Sequence, residues 1–180
     1  VSAETPRGTH QARVDDKGRL KLPVKFQEFI GEQSLYITSL DARIGRIYPL
    51  SVWKENEKFF EETDDPTAEH VQFIANKYGD DATIDSQGRV LLPTELRRKL
   101  GLENQPVLLD YSKSGLNIYS ETVFEEQERS AEPDLPQKLP LLRAEGLKKP
   151  CIHVPVLMAE ELDYLAIRPD GVYRDSTAGL

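Results

Sequence analysis

Two ten-residue stretches decide the fold: VDDKGRLKLP at residues 14–23 and IDSQGRVLLP at residues 84–93. They lie 70 residues apart, and seven of the ten positions are identical or exchange one aliphatic side chain for another. Similar stretches at a fixed offset indicate one structural unit that is used twice. The sequence therefore predicts a tandem repeat.

The chemistry of the repeated stretch predicts a tight turn between short strands. Gly18 and Gly88 each follow a polar pair, as expected where a turn needs a positive φ. Asp15 and Asp85 can accept hydrogen bonds from backbone N–H groups across that turn, which gives Asp15, Gly18, Asp85 and Gly88 a turn-bracing role. The strand after the second turn is more apolar than the first, so we expect it to be more buried.

Each copy continues in the same way. Pro23 and Pro93 suit the first turn of a short amphipathic helix, and Gly101 is a plausible end for the second of these helices. Two strand-like runs follow in each copy, and each copy ends in an acidic helix that starts near Ser51 or near Glu121. The strand-like runs are Ser34–Ser39 and Arg43–Tyr48 in the first copy, and Pro106–Asp110 and Leu116–Tyr119 in the second.

A unit of about 45 residues buries too little apolar surface to be stable alone. Two such units packed together solve that problem, so we expect an intertwined pair of hairpins within the chain. The predicted fold class is α+β, mainly β with short helices.

Charge is segregated along the chain although the formal net charge is −8. Residues 4–26 carry six Lys or Arg against three acids, and residues 84–99 carry four against two. Residues 54–70 carry seven acids and residues 120–134 carry six. Local fields therefore matter more than the total, and a basic surface is compatible with an acidic protein.

Several classes of function are not supported. The chain has one cysteine, Cys151, and three scattered histidines, which supply neither a disulfide nor a four-ligand zinc site. No apolar stretch reaches the length of a membrane span, and residues 1–13 lack the apolar run of a secretory signal. No nucleophile is paired with a base, and no glycine-rich phosphate loop occurs in residues 1–150. We expect a cytoplasmic protein without cofactor, metal or small-molecule substrate, and not an enzyme.

The two motifs resemble the tandem SpoVT-AbrB units of the MraZ transcriptional regulators. The resemblance covers roughly residues 7–128 and includes Gly8-Thr9-His10, Tyr48-Pro49 with Trp53, and Leu100-Gly101-Leu102. It places the units at residues 9–53 and 82–125. It implies AbrB-like swapped hairpins that form a pseudo-dimeric barrel within the chain. It also implies a ring-shaped homo-oligomer that associates with the nucleoid.

The resemblance further implies binding to double-stranded DNA, at direct repeats in the promoter of the cell division and cell wall gene cluster. The residues that match the DNA-facing motif are Asp15 and Arg19, and Asp85 and Arg89. Adding the neighbouring polar residues, we expect DNA contact from Arg13, Lys17, Arg19, Gln87 and Arg89. Gln87 stands where the first motif has Lys17, so the two halves are not expected to contribute equally.

Two interpretations of Arg19 and Arg89 are open from the residues alone. An exposed guanidinium can pair with phosphate or with a guanine edge. The same group can instead form a structural ion pair with the aspartate of its own motif. The aspartates themselves are repelled by DNA, so we expect them to orient the arginines rather than to contact DNA. The surrounding lysines can contact phosphates or simply cover a solvated strand face.

The last part of the chain differs in character. Residues 130–150 contain four prolines, which predicts a linker with interrupted structure. Residues 151–180 resemble the N-terminal start of the RsmH (MraW) 16S rRNA methyltransferases, through His153-x-Pro155-Val156-Leu157 and Pro169-x-Gly171-x-Tyr173. The sequence ends at Leu180, before any cofactor loop, so we expect no methyltransferase activity and a poorly ordered tail.

Two alternatives to DNA regulation belong to other classes of function. The same double unit could act as a protein-interaction module that does not bind DNA. A fragment of an rRNA methyltransferase is a further alternative, which the missing cofactor loop disfavours.

Overall fold

The computed structural model describes residues 4–112 and 115–147. The first repeat contains β1 (His10–Arg13), β2 (Arg19–Lys21), α1 (Val24–Ile30), β3 (Ser34–Thr38), β4 (Gly45–Pro49) and α2 (Leu50–Glu62). Helix α3 (Pro66–Tyr78) follows. The second repeat contains β5 (Asp80–Thr83), β6 (Arg89–Leu91), α4 (Thr94–Leu100), β7 (Pro106–Ser112), β8 (Gly115–Ser120) and α5 (Glu121–Ala131). A short 3-10 helix (Glu132–Asp134) and α6 (Leu135–Glu145) come last. The predicted α+β class and the four strand-like runs are confirmed. The expectation of a mainly β protein with short helices is wrong, because among the described residues the helices contain more residues than the strands and two of them are 13 residues long.

The two repeats exchange their first strands. Strand β1 pairs antiparallel with β7 of the second repeat, and β5 pairs antiparallel with β3 of the first. The hairpins β3–β4 and β7–β8 stay within their own repeats and join edge to edge through β4 and β8. The pairing is therefore symmetric about the β4–β8 junction, as expected for two copies of one unit.

Among the described residues the strands form two antiparallel sheets and no closed barrel. One sheet has six strands in the order β1-β7-β8-β4-β3-β5. The other is a two-stranded sheet of β2 and β6, which we call the ribbon (residues 19–21 and 89–91). Each ribbon strand is only three residues long, because a turn precedes it and Leu-Pro follows it.

One hydrophobic core is shared by both repeats. It contains Leu20 and Val90 from the ribbon, Phe26 and Leu96 from α1 and α4, and Ile47 and Ile118 from the large sheet, all essentially inaccessible to solvent. Because neither repeat holds a complete set of these side chains, each stabilises the other. Burial of a large aliphatic or aromatic side chain contributes about 1.5–3 kcal/mol, so the shared core dominates the stability of the pair.

The other face of the large sheet is covered in its first half by α2 and α3. Trp53 of α2 is buried and stacks on Tyr36 of β3, with ring centroids 4.3 Å apart. Helix α3 was not predicted, and its N-terminus is capped by the Asp65 side chain, which accepts the N–H of Thr67. Phe59, also on α2, is 60% exposed.

The expectation that β6 is more buried than β2 is wrong. Both strands show the same pattern, with the middle residue buried and the third residue exposed. Leu91 is 58% exposed although it is apolar. Alternation along a two-stranded ribbon with one packed face places Leu91 outward whatever its side chain is.

The chain divides into a unit that ends at Leu135 and a second unit that begins at Pro136. In the second unit the described residues are helical as far as Glu145, with Pro140 inside α6. The expectation that the prolines interrupt regular structure here is therefore wrong. Proline removes one intrahelical hydrogen bond, and exposed carbonyls can bond to water instead.

The methyltransferase-like segment 151–180 lies outside the described residues. In the part that is described, no helix combines the length and the apolar character of a membrane span.

Candidate nucleic-acid interface

The first motif folds into a turn that its own aspartate holds together. The N–H of Gly18 donates to the carbonyl of Asp15 at 3.0 Å, and Gly18 has φ +77°. Oδ1 of Asp15 accepts the backbone N–H groups of Lys17 at 3.0 Å and of Arg19 at 2.8 Å. Oδ2 accepts Nε–H of Arg19 at 2.8 Å. Three donors therefore converge on one carboxylate.

The second motif repeats this geometry. The N–H of Gly88 donates to the carbonyl of Asp85 at 2.9 Å, and Gly88 has φ +74°. Oδ1 of Asp85 accepts the N–H groups of Gln87 at 2.8 Å and of Arg89 at 2.9 Å, and Oδ2 accepts Nε–H of Arg89 at 2.8 Å. The two aspartates therefore make the same set of contacts within their own turns.

These bonds lower the pKa of both carboxyl groups. The pKa of Asp15 falls from 3.8 to about 2, mainly because its side chain accepts the Arg19 guanidinium. The pKa of Asp85 is also lowered, and there the backbone N–H of Arg89 is the largest cause. Both carboxyl groups are therefore ionised near neutral pH, where each can pair with the arginine of its own motif.

The ion pairs hold each guanidinium without using all of it. In Arg19 the bonds engage Nε, and Nη2 lies 2.7 Å from the same carboxylate oxygen. A guanidinium has five N–H donors, so the Nη1 side stays available for phosphate or for a guanine edge. The side chains of Arg19 and Arg89 are 31% and 26% exposed. The two interpretations left open by the sequence are thus compatible, because the structural ion pair orients a partly exposed cation.

The two turns are locked to each other across the repeats. The N–H of Leu22 donates to the carbonyl of Gly88 at 2.9 Å, and the N–H of Leu92 donates to the carbonyl of Gly18 at 3.0 Å. Each turn therefore needs the other copy to satisfy its backbone. The spacing between Arg19 and Arg89 is fixed by this exchange and not by flexible side chains.

The ribbon presents four side chains on its outer face. The register pairs Arg19 with Leu91 and Lys21 with Arg89, while Leu20 faces Val90 in the core. Opposite residues of an antiparallel pair, and residues two apart in one strand, lie on one face. Three cations and one leucine therefore share a short surface. A two-stranded β-ribbon fits the major groove of B-DNA.

The helices that follow the motifs contact the turns of the opposite repeat. A Cβ at Gly18 would collide with the guanidinium of Arg97 on α4, and one at Gly88 would collide with the amide of Gln27 on α1. Arg97 and Gln27 occupy equivalent positions in the two repeats, and each donates to a backbone carbonyl of its own repeat, Leu92 at 2.6 Å and Leu22 at 2.7 Å. The first turn thus lies against a cation and the second against a neutral amide.

The predicted contact residues do not all lie together. Arg19 and Arg89 are on the ribbon, and Lys17 and Gln87 are exposed at the two turns. Arg13 is on β1, in the six-stranded sheet, where its guanidinium donates to the carbonyl of Asn104 at 2.9 Å. Asn104 lines a cleft with Asp15, Asp16 and Gly18, so Arg13 lies near the first turn but off the ribbon face.

The sequence did not place Leu91 or Arg97 in the site, and it gave Lys21 only as one of the surrounding lysines that can contact phosphates. When the repeats are aligned at the 70-residue offset, Lys21 is equivalent to Leu91 and Gln27 is equivalent to Arg97. This difference between equivalent positions is the feature of the sequence that points to them. Their contacts depend on the exchange of strands, which a repeat pattern does not specify. Within residues 4–112 and 115–147 no cluster of three His, Cys, Asp or Glu side chains is arranged to hold a metal ion.

Comparison with known proteins gives the family. A family model described as "MraZ protein, putative antitoxin-like" matches residues 79–139. The transcriptional regulator MraZ of Acidobacterium capsulatum is 38% identical over 125 residues, which cover 67% of this chain and 82% of that protein. The chain belongs to the MraZ family of transcriptional regulators.

Further MraZ relatives align over similar lengths. The regulator of Koribacter versatilis is 32% identical over 111 residues, covering 58% of this chain and 76% of its own length. That of Desulfitobacterium hafniense (strain Y51) is 32% identical over 127 residues, covering 69% and 87%. Membership of the MraZ family means that the chain is a transcriptional regulator and not an enzyme.

Proposed function

We propose that the chain binds duplex DNA sequence-specifically through the ribbon and its two turns, with Arg19 and Arg89 as the central contacts. The observation that carries the proposal is the outer face of the ribbon, where Arg19, Lys21 and Arg89 lie together in an otherwise acidic chain. The bracing carboxylates orient both guanidinium groups before DNA arrives, which reduces the conformational entropy lost on binding.

Lys17 and Gln87 at the turns, and Arg13 beside the first turn, extend this surface. A lysine supplies phosphate contact, which adds affinity and little sequence information, whereas a glutamine can pair with an adenine edge. The first turn, with Lys17, is therefore proposed to bind the DNA backbone more strongly than the second turn, with Gln87. The proposed target is a set of direct repeats in the promoter of the cell division and cell wall gene cluster, and the proposed location is the cytoplasm, at the nucleoid.

We assign residues 9–53 and 82–125 to two SpoVT-AbrB units of the swapped-hairpin class, arranged as a pseudo-dimer within the chain. The exchange of β1 and β5 between repeats supports this assignment. Residues 130–150 are proposed as the connection to the C-terminal segment, because every side chain described there is exposed or only partly buried.

The test is a mobility shift on promoter DNA at several salt concentrations. Arg19→Ala with Arg89→Ala is expected to weaken binding at least tenfold, and each lost phosphate contact lowers the slope of log K against log salt by about 0.9. Lys58→Ala with Arg129→Ala is the matched control, because it removes two exposed charges from α2 and α5 and leaves the ribbon intact. Equal behaviour of the two double variants would overturn the proposal.

The alternative function, a protein-interaction module without DNA binding, makes the opposite prediction. It gives no shift on direct-repeat promoter DNA at any salt concentration. In that case Arg19 and Arg89 would only stabilise the fold, and the two double variants could be compared only by their thermal stability.

We further propose that the protein acts as a homo-oligomer, a ring in which several ribbons are presented to several DNA sites. Two aromatic side chains support self-association, since Phe59 of α2 is 60% exposed and Phe73 of α3 is 67% exposed. Light scattering is expected to give a mass of several chains, and Phe73→Asp is expected to lower it. An unchanged monomeric mass for the wild type would refute the oligomer.

A further inference from the structure

The outer face of the ribbon has two unlike halves. Lys21 and Leu91 occupy the same position in the two repeats. The antiparallel register places Leu91 opposite Arg19 and Lys21 opposite Arg89. One half of the ribbon therefore carries Arg19 beside the aliphatic Leu91. The other half carries two neighbouring cations, Lys21 and Arg89.

Leu91 has no structural reason to be apolar. It is 58% exposed, and the core beneath the ribbon is filled by Leu20 and Val90. The equivalent position of the first repeat holds an exposed lysine with the same strand geometry. Between Arg19 and Arg89, Leu91 therefore offers an apolar contact surface within an otherwise charged face.

The neighbours of Leu91 argue against phosphate as the partner of this surface. Asp80 and Asp81 of β5 line a shallow cleft together with Leu91. The equivalent positions in the first repeat, on β1, hold His10 and Gln11, neither of which is a carboxylate. Two carboxylates repel a phosphate backbone, but a carboxylate over a base edge can accept a hydrogen bond from cytosine. This half of the ribbon therefore suits base edges, and the half with Lys21 and Arg89 suits phosphates.

We propose that Leu91 contacts the C5-methyl group of a thymine in the major groove and so determines specificity. In the same arrangement Lys21 takes a phosphate on the other half, and the pair fixes one direction of the protein on DNA. A symmetric ribbon would read a site equally in both orientations, whereas this one reads it in one. The inference rests on the proposed function, DNA contact by the ribbon, and names the base group that the site recognises.

The experiment uses the full chain and a duplex selected by it from a randomised pool. Each thymine of that duplex is replaced in turn by deoxyuridine, which removes only the methyl group. The wild type is expected to lose about threefold to fivefold in affinity at one thymine position, since burial of one methyl-sized group is of that order. Leu91→Ala is expected to weaken binding to the parent duplex by a similar factor and to lose the sensitivity at that position.

Two further variants keep the test independent of folding. Leu91→Met keeps an apolar side chain of similar size and is expected to keep the deoxyuridine sensitivity. Leu141→Ala removes another exposed aliphatic side chain, on α6 and not part of the ribbon, and is expected to leave the whole scan unchanged. Thermal melting of each variant identifies any loss of fold.

The outcomes separate this inference from the function on which it rests. If no thymine is sensitive, or if the sensitivity persists in Leu91→Ala, the assignment of Leu91 is wrong. The salt-dependent shift and its loss in the Arg19 and Arg89 double variant would then still stand. If the wild type selects no duplex and gives no shift, both proposals fail.

Discussion

The two motif turns share one backbone and differ in what surrounds them. Both close with the same aspartate bonds, and both place an arginine on the ribbon. The first turn lies against Arg97 and has Lys17 at its tip, whereas the second lies against Gln27 and has Gln87 at its tip. The bonds that make the pseudo-dimer and the two ribbon arginines are the same in both repeats, whereas the other side chains around the two turns differ. The difference indicates that the fold needs symmetry and the surface does not.

The largest expected effect tests whether the two halves share one core. Leu22 and Leu92 are equivalent and buried, and the N–H of each donates to the other motif's turn glycine. Leu22→Ala and Leu92→Ala are each expected to lower the free energy of unfolding by about 2.7–5 kcal/mol, through lost burial and a residual cavity. Urea unfolding should remain a single transition in both variants. Two separate transitions, or a large effect for one leucine only, would show that the repeats fold independently.

A smaller effect measures what lies against each turn. Gly18→Ala and Gly88→Ala both place a side chain at positive φ, which costs about 1–2 kcal/mol. Each new methyl group also displaces a side chain of the other repeat, and the Arg97 guanidinium is the harder to move because it is charged and only 13% exposed. Gly18→Ala is therefore expected to destabilise the fold more than Gly88→Ala.

Gly101 supplies the control for this comparison. It has φ +65° and open space around its Cβ position, so Gly101→Ala reports the backbone cost alone. If all three alanine variants unfold at the same denaturant concentration, the contacts of Arg97 and Gln27 with the turns contribute nothing.

The dependence of stability on acid pH tests whether Asp15 and Asp85 are ion-paired. Both have a lowered pKa, so the stability that they contribute is present above about pH 4 and is lost as the pH falls. For Asp15 the loss extends to pH values near 2. The melting temperature of the wild type is expected to fall between pH 4 and pH 2 more steeply than that of Asp15→Asn with Asp85→Asn. Parallel curves would mean that the carboxylates are not paired in solution.

The smallest expected effect separates the causes of the two pKa values. The Arg19 side chain is the first cause for Asp15, whereas backbone donation leads for Asp85. Arg19→Gln is therefore expected to raise the pKa of Asp15 more than Arg89→Gln raises the pKa of Asp85. Carboxyl carbon shifts in an NMR titration report both values, and a larger change at Asp85 would contradict the geometry.

Much of this architecture is predictable from the sequence, because its signals are local. The turn glycines, the bracing aspartates and the two hairpin strands of each repeat follow from residue type and spacing. The positive φ of Gly101 at the end of α4 follows in the same way. The burial of β6 was misjudged, since Leu91 is apolar but the ribbon has only one packed face. Helix α3 was missed because it lies between the two repeated units, where the repeat gives no signal, although Asp65 and Pro66 are typical of a helix start.

The parts of the site that were not predicted depend on pairing between distant residues. Nothing in His10–Arg13 shows that β1 pairs with β7, so the position of Arg13 beside Asn104 could not be inferred. The opposition of Lys21 and Arg89, and of Arg19 and Leu91, follows from the register of the ribbon and not from either motif alone. The same holds for the contact of Arg97 with the first turn.

The exchange of β1 and β5 within one chain has a consequence for how the protein behaves when it is scarce. A surface that is built from two separate molecules is lost at low protein concentration, because the dimer that forms it dissociates. Here both partners are tethered through α2 and α3, so the ribbon forms in a single molecule at any dilution. A dependence of DNA binding on protein concentration that is steeper than one-to-one binding therefore reports the association of whole chains.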